Sequence, residues 1–205
     1  MSHSSGVRQA QKQRTRQAFL DAALELLEEQ SLSSLGLREV TRAVGVAPTA
    51  FYRHFPSIAD LGVALVEEAL GGLHPMISGT VSEAGDSGER VERAVALIAR
   101  HVRAYPAHVR FVARERNGGV QAVRAAIAEQ MDRFTEEVRA ELSRQPESAG
   151  WSDDDLLMLA GLYVDQMLMT ASTFLEARPE EWEGVGRVAE RRMRLISIGR
   201  HHWLG

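Results

Sequence analysis

Between residues 44 and 62 the chain reads "VGVAPTAFYRHFPSIADLG", which gathers Thr49, Tyr52, Arg53 and His54 into a single short stretch. These are groups for recognition rather than catalysis. A threonine can approach a thymine methyl or a base edge, a guanidinium can reach phosphate or guanine, and a phenol or imidazole can donate to phosphate oxygens. Bond-making chemistry lacks its parts. The absence of cysteine excludes thiolate nucleophiles, thiolate metal sites and disulfides. No GxSxG, P-loop or HExxH pattern occurs, and His201 and His202 are adjacent, so they point apart on a helix. Asp153, Asp154 and Asp155 most simply complement a helix N-terminus. No catalytic residue, metal site or cofactor is expected, and an acyl-CoA-binding or acyl-transfer enzyme is the distant alternative.

The recognition groups need a scaffold, and the apolar spacing around them supplies one. Phe19, Ala22, Ala23, Leu26 and Leu27 recur at steps of three and four, the signature of a helix over about residues 16–29. Leu37, Val40 and Val44 mark a second short helix, which Gly45 ends. Pro48 suits the first turn of a third helix, where its missing N–H would have been unpaired anyway. That helix turns Phe51 and Phe55 inward and leaves Pro48, Thr49, Tyr52 and Arg53 on or beside its outer face. Pro56 closes it, and Ser57 is placed to cap a fourth helix. Two helices joined by a tight glycine turn have the layout of a helix-turn-helix, whose second helix enters a major groove.

Charge supports a DNA partner locally but not globally. The net charge is -4, yet residues 1–55 hold seven Lys/Arg against five Asp/Glu, and the remainder 17 against 23. Before Asp21 stand Arg8, Lys12, Arg14 and Arg16 with no acid. Lys12, Arg14 and Arg16 on a basic arm, and Arg38 and Arg42 on the second helix, would flank the DNA backbone. A solvated, disordered tail is the plain alternative for that arm.

Beyond the loop "SGTVSEAGDSGE" (78–89) the pattern is helical to the end. Val91, Ala94, Val95, Ile98 and Val102 share one face, "PAHVRFVARER" is a shorter helix, and Val120, Val123, Ile127, Met131, Phe134, Val138 and Leu142 form a long stripe. Residues 152–176 are apolar nearly all round, and Pro179 opens a final helix with Val185, Val188, Ala189, Leu195 and Ile196 on one face. Two late helices with so much apolar surface point to a two-fold homodimer. The expectation is an all-α chain of about nine helices, with a DNA-binding domain at 1–56 and a helical effector-binding and dimerisation domain at 57–205. With no apolar leader and no uninterrupted run of eighteen apolar residues, a cytoplasmic protein without a membrane partner is expected.

Around "VGVAPTAFYRHF", with Tyr52, His54 and Phe55 at the matching places, the sequence resembles the TetR family of bacterial regulators. "RERNGGVQAVRAAIAEQ" (114–130) and "RLISIGRHHW" (194–203) are further similar to segments of the FabR/DesT-like repressors of unsaturated fatty acid synthesis. The resemblance implies an all-helical, TetR-like homodimer whose first three to four helices bind a double-stranded palindromic operator, with a small-molecule pocket in the remainder. Two positions depart from the family pattern. Ile58 stands where most members carry a phosphate-binding lysine, and Ala47 replaces the usual serine cap.

The effector implied is a long-chain acyl-CoA. Phe111, Met131, Phe134, Tyr163, Met167, Leu168, Met169 and Phe174 are candidates for an apolar tunnel, against a plain role in the core. Arg110, Arg114, Arg116 and Arg124 are candidates for a cationic mouth, against pairing with Glu115 or Glu129.

Overall fold

A computed structural model describes residues 3–82 and 86–203. Its described residues form ten α-helices and two short 3-10 turns, with no strand. The helices are α1 (His3–Leu26), α2 (Leu37–Val44), α3 (Pro48–Phe51), α4 (Ile58–Gly71), α5 (His74–Ser82), α6 (Ser87–Ala104), α7 (Pro106–Glu115), α8 (Gln121–Ser143), α9 (Asp153–Glu176) and α10 (Trp182–His202). The all-α, TetR-like reading holds. The additional helix is α5, which begins before the expected loop and takes its first residues. "HPMISGTVS" has weak helical preference, but the segment packs on α6 and buries Ile77, and tertiary burial outweighs propensity. Of the expected loop, residues 83–85 lie outside the described residues.

The chain divides into two compact units. One comprises the described residues up to Ala69 with Arg110–Ile127; the other comprises those of Leu70–Val109 and Ala128–Gly205. In the first, α1 begins at His3, so the basic arm is helical. Its run of Gln, Ala, Lys and Arg consists of good helix formers. Phe19 sits at the centre of this unit, its ring 5.3 Å from Phe51 and 6.3 Å from Phe55 in edge-on contacts. Glu39 reaches back to the Gly36 N–H at 2.8 Å to start α2. Gly45 ends α2 at φ 76° and ψ 30°, a left-handed turn that a side chain would strain. Gly62 serves another purpose: a Cβ there would lie 2.4 Å from Leu32 Cδ2 and 2.7 Å from Val123 Cγ2, so its bare backbone admits both neighbours.

The end of α1 is closed from α7. Arg114 Nη1 donates to the carbonyls of Leu27 at 2.8 Å and Gln30 at 2.7 Å, and Nη2 to that of Glu28 at 3.2 Å. Next to it, buried Glu115 accepts the Leu32 N–H at 2.9 Å. These bonds serve the groups that every helix end and the turn beyond it leave unpaired.

In the second unit α6, α9 and α10 pack together around Val91, Val95, Ile98, Val102, Phe174, Ala189 and Met193. Ser152 accepts the Asp155 N–H at 3.1 Å and caps α9, whose first turn carries the three aspartates. By length and composition α9 is the one described helix able to cross a membrane. It nevertheless packs against α6 and α10, and carries Asp165 midway.

Candidate nucleic-acid interface

The geometry of α3 follows from its ends. Ala47 makes no side-chain cap and Pro48 opens the helix without an N–H, while the Ala50 N–H donates to the Ala47 carbonyl at 2.9 Å. After Phe51 the chain tightens into one more turn, with His54 N–H on the Phe51 carbonyl at 2.8 Å and Phe55 N–H on the same oxygen at 3.0 Å. That turn fixes the alternation the sequence suggested. Phe51 and Phe55 are buried, while Pro48, Thr49, Tyr52 and Arg53 are exposed. Tyr52 stands 61% exposed with its ring edge-on to Phe51, 5.8 Å away. A large aromatic held at the tip of a helix by the core beneath it is poised for contact rather than packing.

Three cations, Lys12, Arg16 and Arg53, lie close enough to His54 at this tip to act on its charge. Arg16 lies over the Phe55 ring, and Lys12, Arg14, Arg38, Arg42 and Arg53 are exposed. Among the described residues none of these six is in an ion pair. Several arginines of the second unit differ: Arg90, Arg139, Arg144, Arg178, Arg187 and Arg194 have carboxylate partners. His54 reports the resulting field. Burial first, then the charges of Lys12, Arg16 and Arg53, lower its pKa from the ordinary 6.5. Its Nδ1 is buried without a hydrogen-bond partner, and its ring tilts against Phe19 at 5.6 Å. A neutral imidazole among three cations marks a surface that favours anions.

The apolar candidates do not assemble into one lining. A partly open cavity of about 70 Å³ lies in the second unit, and of the expected residues Tyr163 and Met167 line it. Phe134 instead stacks on His74 at 4.2 Å, and His74 is itself held by Glu137 and Gln130, each at 2.8 Å. Phe174 is core, packed on Trp182 at 5.0 Å. Met131 is half-buried but does not line the cavity. Phe111, Arg114, Arg116 and Arg124 belong to the first unit.

The expected cationic mouth is corrected in the same way. Arg114 is occupied by the three carbonyls beyond α1, Arg124 Nη1 donates to the Gly118 carbonyl at 2.5 Å, and Arg110 pairs with Glu28 at 3.4 Å. Phe111 is buried and Arg116 exposed, and neither lines the cavity. The residues that do line it include Val91, Val138, Leu142, Gln145, Glu147, Met193, Ser197 and Arg200, which sequence reasoning missed.

The family model described as "Bacterial regulatory proteins, tetR family" matches residues 19–65, the segment from Phe19 to the middle of α4. Among solved structures the fold is similar to the fatty acid degradation regulator FadR from Bacillus halodurans, at 16% identity and a TM-score of 0.70, covering 89% of this chain and 94% of that one. It is similar also to FadR from Bacillus subtilis in complex with stearoyl-CoA, at 14% identity and 0.69, over 88% and 96% of the two chains. Reduced NemR from E. coli follows at 20% identity and 0.64, over 89% and 96%. At these identities the likeness is one of fold. The family model thus matches the helix-turn-helix segment at residues 19–65, and the solved structures show an all-helical fold that this chain shares with such regulators.

Proposed function

We propose that the chain acts in the cytoplasm as a homodimeric repressor that binds a palindromic operator, with an acyl ligand setting its affinity. The observation that carries the operator surface is the set of cations outside any ion pair among the described residues, Lys12, Arg16 and Arg53, that act on His54 beside exposed Tyr52. In this reading Thr49 and Arg53 meet base edges, while Tyr52, His54, Lys12, Arg14, Arg16, Arg38 and Arg42 meet phosphates. The Thr49 N–H, left without a side-chain cap, is one further donor for a phosphate where Ile58 replaces the lysine. Residues 1–56 do the operator work and residues 57–205 bind effector and partner. Dimerisation uses α9 and α10, whose exposed Met158, Leu162, Met169, Leu195 and Ile198 are apolar side chains with no cover in the single chain.

Long-chain acyl-CoA, controlling genes of unsaturated fatty acid synthesis or modification, is the finer reading. It is supported by the FabR/DesT-like segments and by the fold shared with a regulator holding stearoyl-CoA. A second reading, another hydrophobic effector, is favoured by the size of the cavity. Its roughly 70 Å³ falls below the ~300–1,000 Å³ of drug-sized ligand pockets, so a long chain would require its walls to move.

Fluorescence anisotropy on the palindrome upstream of the protein's own gene, titrated with palmitoyl-CoA and oleoyl-CoA at several salt concentrations, tests both levels. A slope of log affinity against log salt of about -0.9 per phosphate contacted is expected, together with unequal effects of the two ligands. Flat salt dependence would remove the operator reading, and indifference to both ligands would remove the acyl-CoA reading alone.

A further inference from the structure

One wall of the cavity holds a buried cation outside any ion pair among the described residues: Arg90 and Arg200 share the field of one carboxylate, Glu147, which leaves the wall a net positive charge. Arg200 on α10 is 6% exposed. Its Nη1 donates to Gln145 Oε1 at 2.8 Å, and its Nη2 donates to the Leu142 carbonyl at 3.4 Å and to Ser148 Oγ. All three acceptors are neutral. Among the described residues no carboxylate lies within ion-pair distance of Arg200, and its Nε is buried with no hydrogen-bond partner. Arginine does not discard its proton to escape such a place, so desolvation lowers its pKa while the side chain stays charged.

The neighbouring polar groups are already satisfied. Glu147 is engaged by Arg90, with Nη2 to Oε1 at 3.0 Å. Ser197 gives its hydrogen to the Met193 carbonyl at 3.1 Å, which makes Tyr163 the donor in its 2.8 Å bond to Ser197 Oγ. Burial pushes the Tyr163 phenol up, so it keeps its proton. The rest of the wall includes Val91, Ala94, Val138, Met167 and Met193, which are apolar. A ligand that completes this cavity carries one compact negative charge and a short hydrocarbon body.

We propose that the cavity takes a medium-chain carboxylic acid as its free anion, the carboxylate accepting from the Arg200 guanidinium and the hydrocarbon lying among Val91, Val138, Met167 and Met193. The proposal rests on reading this cavity as the effector site, and narrows it. A coenzyme A thioester presents a neutral carbonyl where the cavity presents a cation. Methionines at two points of the wall allow chains of somewhat different length to be accommodated.

Calorimetric titration of the full-length protein with octanoate, 1-octanol and octanoyl-CoA tests the assignment, with ligand-free operator binding measured alongside. Octanoate is expected to bind at least about tenfold tighter than octanol, the scale of one charge-assisted hydrogen bond. Arg200→Gln should remove that margin while leaving octanol affinity within about twofold, whereas a purely structural role would weaken both ligands together. Should Arg200→Gln unfold, Arg200→Lys keeps the charge and is expected to retain a preference for octanoate over octanol. Equal binding of octanoate and octanol overturns the carboxylate assignment, as does tighter binding of octanoyl-CoA, and either leaves the cavity as an effector site. If none of the three binds while operator affinity is intact, the effector cavity itself falls.

Discussion

The Arg16 guanidinium lies over the Phe55 ring with its Cζ 4.8 Å from the ring centroid. Phe55 is held by Phe19 and Phe51, so the stack ties a surface cation to the aromatic core. Arg16→Lys keeps the charge but cannot stack as a plane, and is expected to weaken operator binding severalfold with the salt slope nearly unchanged. Arg16→Ala should reduce the magnitude of that slope by about one and cost about 0.5–1 kcal/mol of folding stability. Anisotropy at several salt concentrations separates the two effects. A parental slope in the alanine variant would mean that Arg16 touches no phosphate.

The helix-turn-helix was legible in the sequence because its determinants are local. Gly45, Pro48 and the four-residue step from Phe51 to Phe55 dictate the turn, the helix start and the inward face within a dozen residues. The lining of the second unit's cavity was not legible, because its logic is tertiary. Arg114 and Arg124 look like free cations until the carbonyls of Leu27, Gln30 and Gly118 are seen beside them. Arg200 looks like a surface residue until Ser148 and Gln145 close over it. Helix α5 escaped for the same reason, since the burial of Ile77 is invisible to periodicity over nine weakly helical residues.

His54 is expected to make folding and operator binding respond to acid in opposite directions. Its folded pKa lies below the ordinary 6.5, so the unfolded chain takes up a proton first as pH falls through that value. The native state therefore loses stability on acidification below about 6.5, and above that window the group contributes nothing. His101, lowered by burial and by His108, adds a background of the same sign. Thermal unfolding from about pH 7.5 to about pH 5.5 is expected to show a smaller fall in Tm for His54→Gln than for the parent. A phosphate beside the ring would raise its pKa, so parental operator affinity should rise over the same range and that of His54→Gln should rise less. Parallel profiles would place the phosphate elsewhere.

Glu115 and Gly118 are coupled by space. The Glu115 side chain is 1% exposed, and a Cβ on Gly118 would lie 2.2 Å from its Oε2. Glu115→Ala leaves the Leu32 N–H without its acceptor and is expected to cost about 1–3 kcal/mol in urea unfolding. Gly118→Ala should cost a comparable amount by displacing the carboxylate. Together the two should cost less than their sum, because the alanine gains room once the carboxylate is gone. Strict additivity would show that Glu115 relaxes away freely in the single variant.

The exposed apolar residues of α9 and α10 fall on helical spacing. Met158 and Leu162 are four apart with Met169 seven further, and Leu195 and Ile198 are three apart on α10. Leu195 is 69% exposed, so a charge there does not disturb the core of the single chain. A two-fold interface places each such residue twice, which doubles the effect of one substitution. Leu195→Glu combined with Ile198→Glu is therefore expected to shift sedimentation from dimer to monomer while leaving the helical circular dichroism intact. Operator affinity should fall with it, because a monomer covers one half-site and loses the second set of contacts. A full-length palindrome would then bind the variant no better than an isolated half-site does. A dimer that persists with both glutamates in place would assign the stripe to another partner and move the self-association surface off α10.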